Sequence, residues 1–333
     1  MCKQGVEAFP HTLPEMDRVR EIIFRELEYP GGHIGAGLLD FAGRESRLLR
    51  PALALLSARI AGGDGEIKEA VPHIAAALEL LHMATLIHDD ILDDAEIRRG
   101  KAAVHTLYGV RRTVLMGDFL FARCYALLAS WGSPATIALF SSVVGRIVAA
   151  EIDAINRGEY PSLRRYKRRI VGKTALLFVL ACHAGASEAA GPGETSGART
   201  IQETLRRTGY NLGVSFQIRD DILDIVADAA VTGKPRGQDP RAGLVTLPLM
   251  LAGTGDPGLN PETIFRGGPA YSREIPEICD RIVEAGGTHR ALLVADAYAE
   301  RAMREVSRLP SGSARDCLES IVRSSKGMER ERT

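Results

Sequence analysis

With 333 residues, 42 basic and 42 acidic side chains and a formal net charge of zero, the chain offers no overall field to a polyanion such as nucleic acid, so any anion must be caught by a local cluster. Hydrophobic residues make up 45% and aromatics only 5%, so the apolar mass is Ala, Leu, Ile and Val, which suits helices packed on helices better than an aromatic-rich β-sandwich. Five scattered cysteines (Cys2, Cys124, Cys182, Cys279, Cys317) with no CxxC pair read as reduced thiols of a cytoplasmic protein, not as a disulfide frame or zinc site. No signal peptide is evident, and no stretch approaches the roughly 18 uncharged apolar residues expected of a membrane span.

Pro14 to Glu28 reads as a first helix, with Val19, Ile22, Ile23 and Leu27 on one face. Pro30-Gly31-Gly32 ends it. A second helical stretch runs from about Arg47 to Ile60, and a long Ala- and Leu-rich helix from Ile67 to about Asp93. The polar segment from Asp94 to Gly109 leads to helices around Arg112–Leu128 and Ala135–Ile155, then to longer ones over Arg164–Ala186 and Glu194–Val226. Periodicity stops in the Gly-, Pro- and charge-rich stretch from Thr232 to Gly243, a loop of functional length. Helical runs over Glu274–Ala285 and His289–Arg308 and a charged tail complete the chain. Nothing alternates with period two, so the expectation is an all-α chain forming a single domain over residues 1–333.

Two identical pentapeptides stand out, Asp89-Asp90-Ile91-Leu92-Asp93 and Asp220-Asp221-Ile222-Leu223-Asp224. On a helix, residues four apart share a face, so Asp89 with Asp93 and Asp220 with Asp224 each form an acidic patch. Such patches repel themselves unless a cation joins them, and carboxylate oxygens suit a hard ion such as magnesium, which combines one or two carboxylates with waters and phosphate oxygens. A single DDxxD is more often a solvated helix end, but two in apolar helical contexts point to a metal-diphosphate clamp. Cations for phosphate are at hand: Arg98-Arg99-Gly100-Lys101 and His105 near the first block, Lys234, Arg236 and Arg241 near the second, Arg47 and Arg50 upstream, and Lys173-Thr174 between them. His82 lies two helical turns before Asp89, about 10 Å away on the same face.

The sequence resembles the trans-isoprenyl diphosphate synthase (polyprenyl synthetase) family. The likeness covers roughly Leu38 to Arg308 and rests on LELLHMATLIHDDILDDAEIRRGKAAVH (78–105), MGDFLFAR (116–123), GKTALLF (172–178), NLGVSFQIRDDILD (211–224) and TGKPRGQD (232–239), in family order. It implies an all-helical isoprenoid-synthase bundle around a central cavity, usually a homodimer, with three magnesium ions held against an allylic diphosphate. By motif matching, Asp89, Asp93 and Asp220 are metal ligands, and Asp90, Asp221 and Asp224 support them or bind through water. Arg98, Lys173 and Lys234 match positions holding the allylic diphosphate (geranyl, farnesyl or geranylgeranyl). Arg47, Arg50, His82 and Arg99 match the isopentenyl diphosphate pocket, and Thr174 and Gln217 match positions lining the reacting end.

Two positions depart from the family pattern. Glu45-Ser46-Arg47 stands where Gly-Gly-Lys is usual, and Leu244 where a lysine is usual. Short-chain members often carry an aromatic floor four or five residues before the first block; here those positions are Thr85 and Ala84, so the tail is expected to pass that level and exceed twenty carbons. Phe119, Tyr125 or Trp131 further down could stop it. The alternatives are a fifteen- or twenty-carbon synthase and an enzyme that condenses two allylic diphosphates. Outside the class stand a metal phosphohydrolase using the His88-Asp89 dyad with His73, and a non-enzymatic regulatory subunit.

Overall fold

A computed structural model of the chain describes residues 15–28, 32–45, 48–63, 66–98, 100–155, 162–190, 195–226, 236–254, 256, 259, 261–262 and 275–327, with backbone alone at His33, Arg44, Glu45, Ala154 and Ile155. The helices in chain order are α1 (Glu15–Leu27), α2 (His33–Glu45), α3 (Leu49–Gly62), α4 (Ala70–Leu92), α5 (Val104–Tyr108), α6 (Val110–Trp131), α7 (Pro134–Ile155), α8 (Leu163–Ile170), α9 (Leu176–Ala190), α10 (Ser196–Val226), α11 (Gln238–Arg241), α12 (Leu247–Ala252), α13 (Ile275–Glu284), α14 (Gly287–Val306) and α15 (Ser313–Gly327). A π turn, Val171–Ala175, joins α8 to α9. The fold is all-α, as the sequence predicts, apart from one antiparallel pair, β1 (Ile97–Arg98) with β2 (Lys101–Ala102), inside the polar connector.

The burial of α4 explains the architecture. Every residue from Val71 to Ala84 is buried, and a helix apolar on all sides belongs inside a bundle. Pro72 falls in its first turn, where no intrahelical N–H is needed. Helices α1, α3, α6 and α9 surround α4. The 31-residue α10, about 46 Å long, lies along α9 and α14. Both aspartate blocks fall at C-terminal helix ends, of α4 and α10, where the apolar pattern gives way to charge.

Five helices escape the sequence reading, among them the short α5 and α11 inside the segments read as connector and loop. α2 carries Gly35, Gly37 and Gly43, each worth about 1 kcal/mol against helix, yet it forms because Leu38, Phe41 and Ala42 are buried. α12 follows the functional loop and buries Leu247, Pro248, Leu249 and Ala252. α15 lies in the supposed charged tail, where Ala314, Leu318, Ile321 and Val322 form a buried stripe packed on α3 and α14. The membrane expectation also needs correction: Ala70–Leu92, Val110–Trp131, Pro134–Asp153 and Leu163–Ala190 are long and apolar enough to cross a bilayer by length and composition. For the first and last of these, 78% of the apolar window is buried inside the protein, so core packing accounts for it. For the α6 and α7 windows only 39% and 28% is buried, leaving Val110, Val114, Leu115, Val148 and Ile152 exposed.

Candidate active site

The first acidic patch is shaped by the way α4 stops. Asp93 caps the helix, its N–H donating to the Asp89 carbonyl at 2.8 Å. Asp94 adopts a left-handed conformation (φ 49°), which short polar side chains tolerate better than most. The chain reverses into β1, and Arg98 returns to Asp90, donating from Nη1 to Oδ1 at 2.7 Å. Asp90 is thus buried and engaged by Arg98, whereas Asp93 is exposed and Asp89 half-buried. Burial pushes the Asp89 carboxyl up to about 7; Lys173 opposes this, while Glu151 and Asp93 add to it. Carboxylates crowded this way gain most from a cation.

Lys173 and Thr174 stand on the π turn, which inserts an extra residue into the helix and re-aims the side chains beyond it. Lys173 Nζ donates to Asp93 Oδ2 at 3.0 Å. Burial alone would lower its pKa, but Asp93 and Asp89 outweigh that and hold the ammonium above the ordinary lysine value. The Thr174 hydroxyl donates to Gln217 Oε1 on α10. That contact depends on close approach: a Cβ on Gly213, one turn earlier, would meet the Ala175 Cα at 2.7 Å. Gln217 Nε2 donates in turn to Asp221 Oδ1 at 2.9 Å.

The second block divides its aspartates by direction. Asp220 is exposed, and Asp221 is buried. Asp224 accepts the backbone amides of Gln238 at 3.0 Å and Asp239 at 2.9 Å, while its carbonyl accepts the Gly237 N–H at 2.7 Å. Gly237 has φ 76°, and a Cβ there would press on the Cys279 Sγ at 2.9 Å, so glycine serves both needs. This clamp delivers Asp239 to the site, where its carboxyl is raised by burial, lowered by Arg169 and Lys173, and raised again by Asp220 and Asp93. One residue therefore feels the exposed aspartates of both blocks. Burial drives Asp221 and Asp224 up to about 7, with Asp239 adding to both.

Among the described residues, no three or more His, Cys, Asp or Glu side chains form a ready-made metal cage. The donor set still fits a hard divalent cation, being all oxygen and contributed from opposed helix ends, with positions left for water and phosphate.

The family model of polyprenyl synthetases matches residues 38–282. The chain belongs to the polyprenyl synthetase family. Over 311 residues it is 33% identical to heptaprenyl diphosphate synthase component 2 of Geobacillus stearothermophilus, covering 92% of this chain and 94% of that one. Over 287 residues it is 34% identical to solanesyl-diphosphate synthase 2, chloroplastic, of Oryza sativa subsp. japonica, covering 84% and 69%. Among solved structures it is similar to a polyprenyl synthase from Caulobacter crescentus CB15 complexed with calcium and isoprenyl diphosphate, with a TM-score of 0.86, 30% identity and coverage of 96% and 95%. The all-α fold is thus the isoprenoid-synthase fold, and the protein is a trans-prenyltransferase acting on isoprenyl diphosphates.

Some of the other positions carried over from the polyprenyl synthetase motifs fall on described residues. Arg50 is half-buried with its guanidinium 5.2 Å from the centroid of the Phe178 ring. His82 is buried, its carbonyl accepting the Thr85 hydroxyl at 2.8 Å. Thr85 keeps some exposed surface, and Ala84 keeps none. Arg47, Arg99 and Lys234 lie outside the described residues. Leu244, at the second departure, is half-buried and donates its N–H to the Asp239 carbonyl.

The histidines of the phosphohydrolase reading turn away from the aspartates. His73 stacks on Trp131 at 3.9 Å, and His88 packs on α6, its Nε2 3.2 Å from the Val114 carbonyl. The His88 packing explains Gly117, since a Cβ there would meet the imidazole Cδ2 at 2.6 Å. Sequence reasoning missed Asp239, Glu151, Arg169 and Tyr166. Only Asp239 had a signal, as the last residue of TGKPRGQD; the others sit at helical positions that no short motif marks.

Proposed function

We propose that this prenyltransferase condenses isopentenyl diphosphate head-to-tail with an allylic diphosphate and elongates it beyond twenty carbons. The observation that carries the chemistry is the convergence of Asp93, Lys173, Asp239 and Asp220 from four segments of the chain. In this reading Asp89, Asp93 and Asp220 hold magnesium, three ions per site, and Asp90, Asp221 and Asp224 support them. Bound magnesium supplies Lewis-acid neutralisation of the charge on the departing diphosphate. Lys173, Arg98 and Lys234 grip that diphosphate, which stabilises the same developing charge. Arg47, Arg50, His82 and Arg99 hold isopentenyl diphosphate, whose double bond attacks the allylic cation beside Thr174 and Gln217. The proton then lost goes to the departed diphosphate, and apolar walls keep water from quenching the cation.

The length reading is supported by the small side chains of Ala84 and Thr85 and by the heptaprenyl and solanesyl names of the relatives. Incubation with magnesium, farnesyl diphosphate and isopentenyl diphosphate, followed by product sizing, tests it; a sole twenty-carbon product refutes it in favour of a geranylgeranyl-type synthase.

The exposed apolar residues of α6 and α7 support a homodimer joined through that face. The component 2 name of one relative makes a heteromer the competing assembly. The mass of the purified chain in solution, with its activity when alone, separates the two. Free thiols at Cys124, Cys182, Cys279 and Cys317 support a cytoplasmic setting.

A further inference from the structure

The buried Tyr166 belongs to no role assigned so far. Its hydroxyl donates to Asp221 Oδ2 at 2.7 Å, and its ring packs in an apolar cluster with Ile170, Ala175, Val214, Ile218 and Ile222. The opposite oxygen of Asp221 accepts from Gln217 Nε2, and Gln217 Oε1 accepts from the Thr174 hydroxyl. These contacts form one directed chain. An ionised carboxylate presents only acceptors, and Asp221 Oδ1 takes the Gln217 Nε2, so Gln217 turns its NH₂ toward it. The amide oxygen then faces Thr174 and takes the single hydroxyl proton. On its other side the Thr174 oxygen has only lone pairs to offer, which suits an electron-poor allylic carbon.

We propose that Tyr166 is a positioning residue for prenyl transfer, acting through Asp221 and Gln217 to fix the direction of the Thr174 hydroxyl. The proposal rests on the reading that Thr174 and Gln217 line the reacting end. Without the phenol, Asp221 Oδ2 loses the donor that holds the carboxylate in place, its grip on the Gln217 amide loosens, and the Thr174 proton is free to point at the cation. Networks of this kind are resolved by double-mutant cycles.

The test is steady-state kinetics with magnesium, farnesyl diphosphate and isopentenyl diphosphate on Tyr166→Phe, Gln217→Ala and the double variant, with thermal melting as the check on folding. Tyr166→Phe keeps the ring and removes one oxygen. It is expected to lower kcat by about 10-fold or more, as small misplacements near the chemistry do, with KM for both diphosphates within about twofold. In the Gln217→Ala background the same substitution is expected to have no further effect. Multiplicative losses in the double variant, with Gln217→Ala itself impaired, overturn the link to Tyr166. A Gln217→Ala enzyme at full rate instead refutes the reading of the reacting end, and the proposal falls with it.

Discussion

Asp224→Ala removes the acceptor of two backbone amides while leaving the backbone bond from the Gly237 N–H to the Asp224 carbonyl in place. A hydrogen bond to a charged group nets roughly 1.5–3 kcal/mol. Desolvation and the nearby Asp239, which drive this carboxyl up to about 7, argue for a value well below twice that range, about 2 kcal/mol for the pair. Since about 1.4 kcal/mol is tenfold, the turn from Gly237 to Arg241 should open about 30-fold more often. Hydrogen-deuterium exchange followed by mass spectrometry, without magnesium, reads this directly in a peptide spanning the turn. Peptides from the core of α4 should not change, nor should the turn in Asp220→Ala, since Asp220 accepts neither turn amide held by Asp224. The half-saturating magnesium concentration should rise in Asp224→Ala, because Asp239 loses its fixed place. Exchange within threefold of the parent would show that the carboxylate does not hold the turn.

Asp89→Ala and Asp220→Ala should each lower turnover by at least about 10³-fold with far-UV circular dichroism nearly unchanged; normal activity in either displaces the ligand assignment. Gly185→Ala would press a methyl onto the Ala54 backbone, with the carbonyl carbon at 2.8 Å and Cα at 2.9 Å. Helices α3 and α9 must separate there, so stability should fall by about 3 kcal/mol, at the upper end for overpacking because backbone cannot swing aside; denaturant unfolding measures it. Burial pushes the Cys124 and Cys182 thiols up to about 12, leaving about one thiolate in ten thousand at pH 8. Iodoacetamide should therefore label the half-exposed Cys317 in the native protein and spare those two until denaturant is added. Because both pKa values are raised on folding, the folded state holds these protons more tightly. Their contribution to stability is complete below about pH 9 and is lost as pH rises toward 12, which denaturant midpoints across that range will show.

The long elements were legible because periodicity and burial agree: α4 and α10 read as helices from composition alone, and their ends follow the last apolar residues within a few positions. Helix α2 was not, since its glycines argue locally against helix while the packing of Leu38 and Phe41 argues for it, and only the second is non-local. Helix α15 was hidden by its own polar majority, since four buried apolar residues spaced to one face suffice to dock it. At the site, the aspartates and Lys173 were visible because charge in an apolar helix is conspicuous. Tyr166 and Glu151 were not, because a tyrosine or glutamate among helical residues looks ordinary until the chain brings it back across the bundle.

Identical pentapeptides also conceal unequal work. Read as sequence, Asp90 and Asp221 are equivalent, as are Asp93 and Asp224. In the fold, Asp90 is held by a cation returning on a hairpin, whereas Asp221 is held by a phenol and an amide. Asp93 faces the site and meets Lys173, whereas Asp224 turns aside to bind the backbone of α11. The difference originates after each motif. A left-handed Asp94 folds the first connector back within a few residues, while after the second block Asp224 itself holds the backbone of Gln238 and Asp239. A second block whose third aspartate serves as a tether therefore contributes its charge to the site through a residue fifteen positions later. Substituting Asp224 and Asp239 together should cost little more magnesium affinity than substituting Asp239 alone, whereas independent ligands would give multiplicative losses.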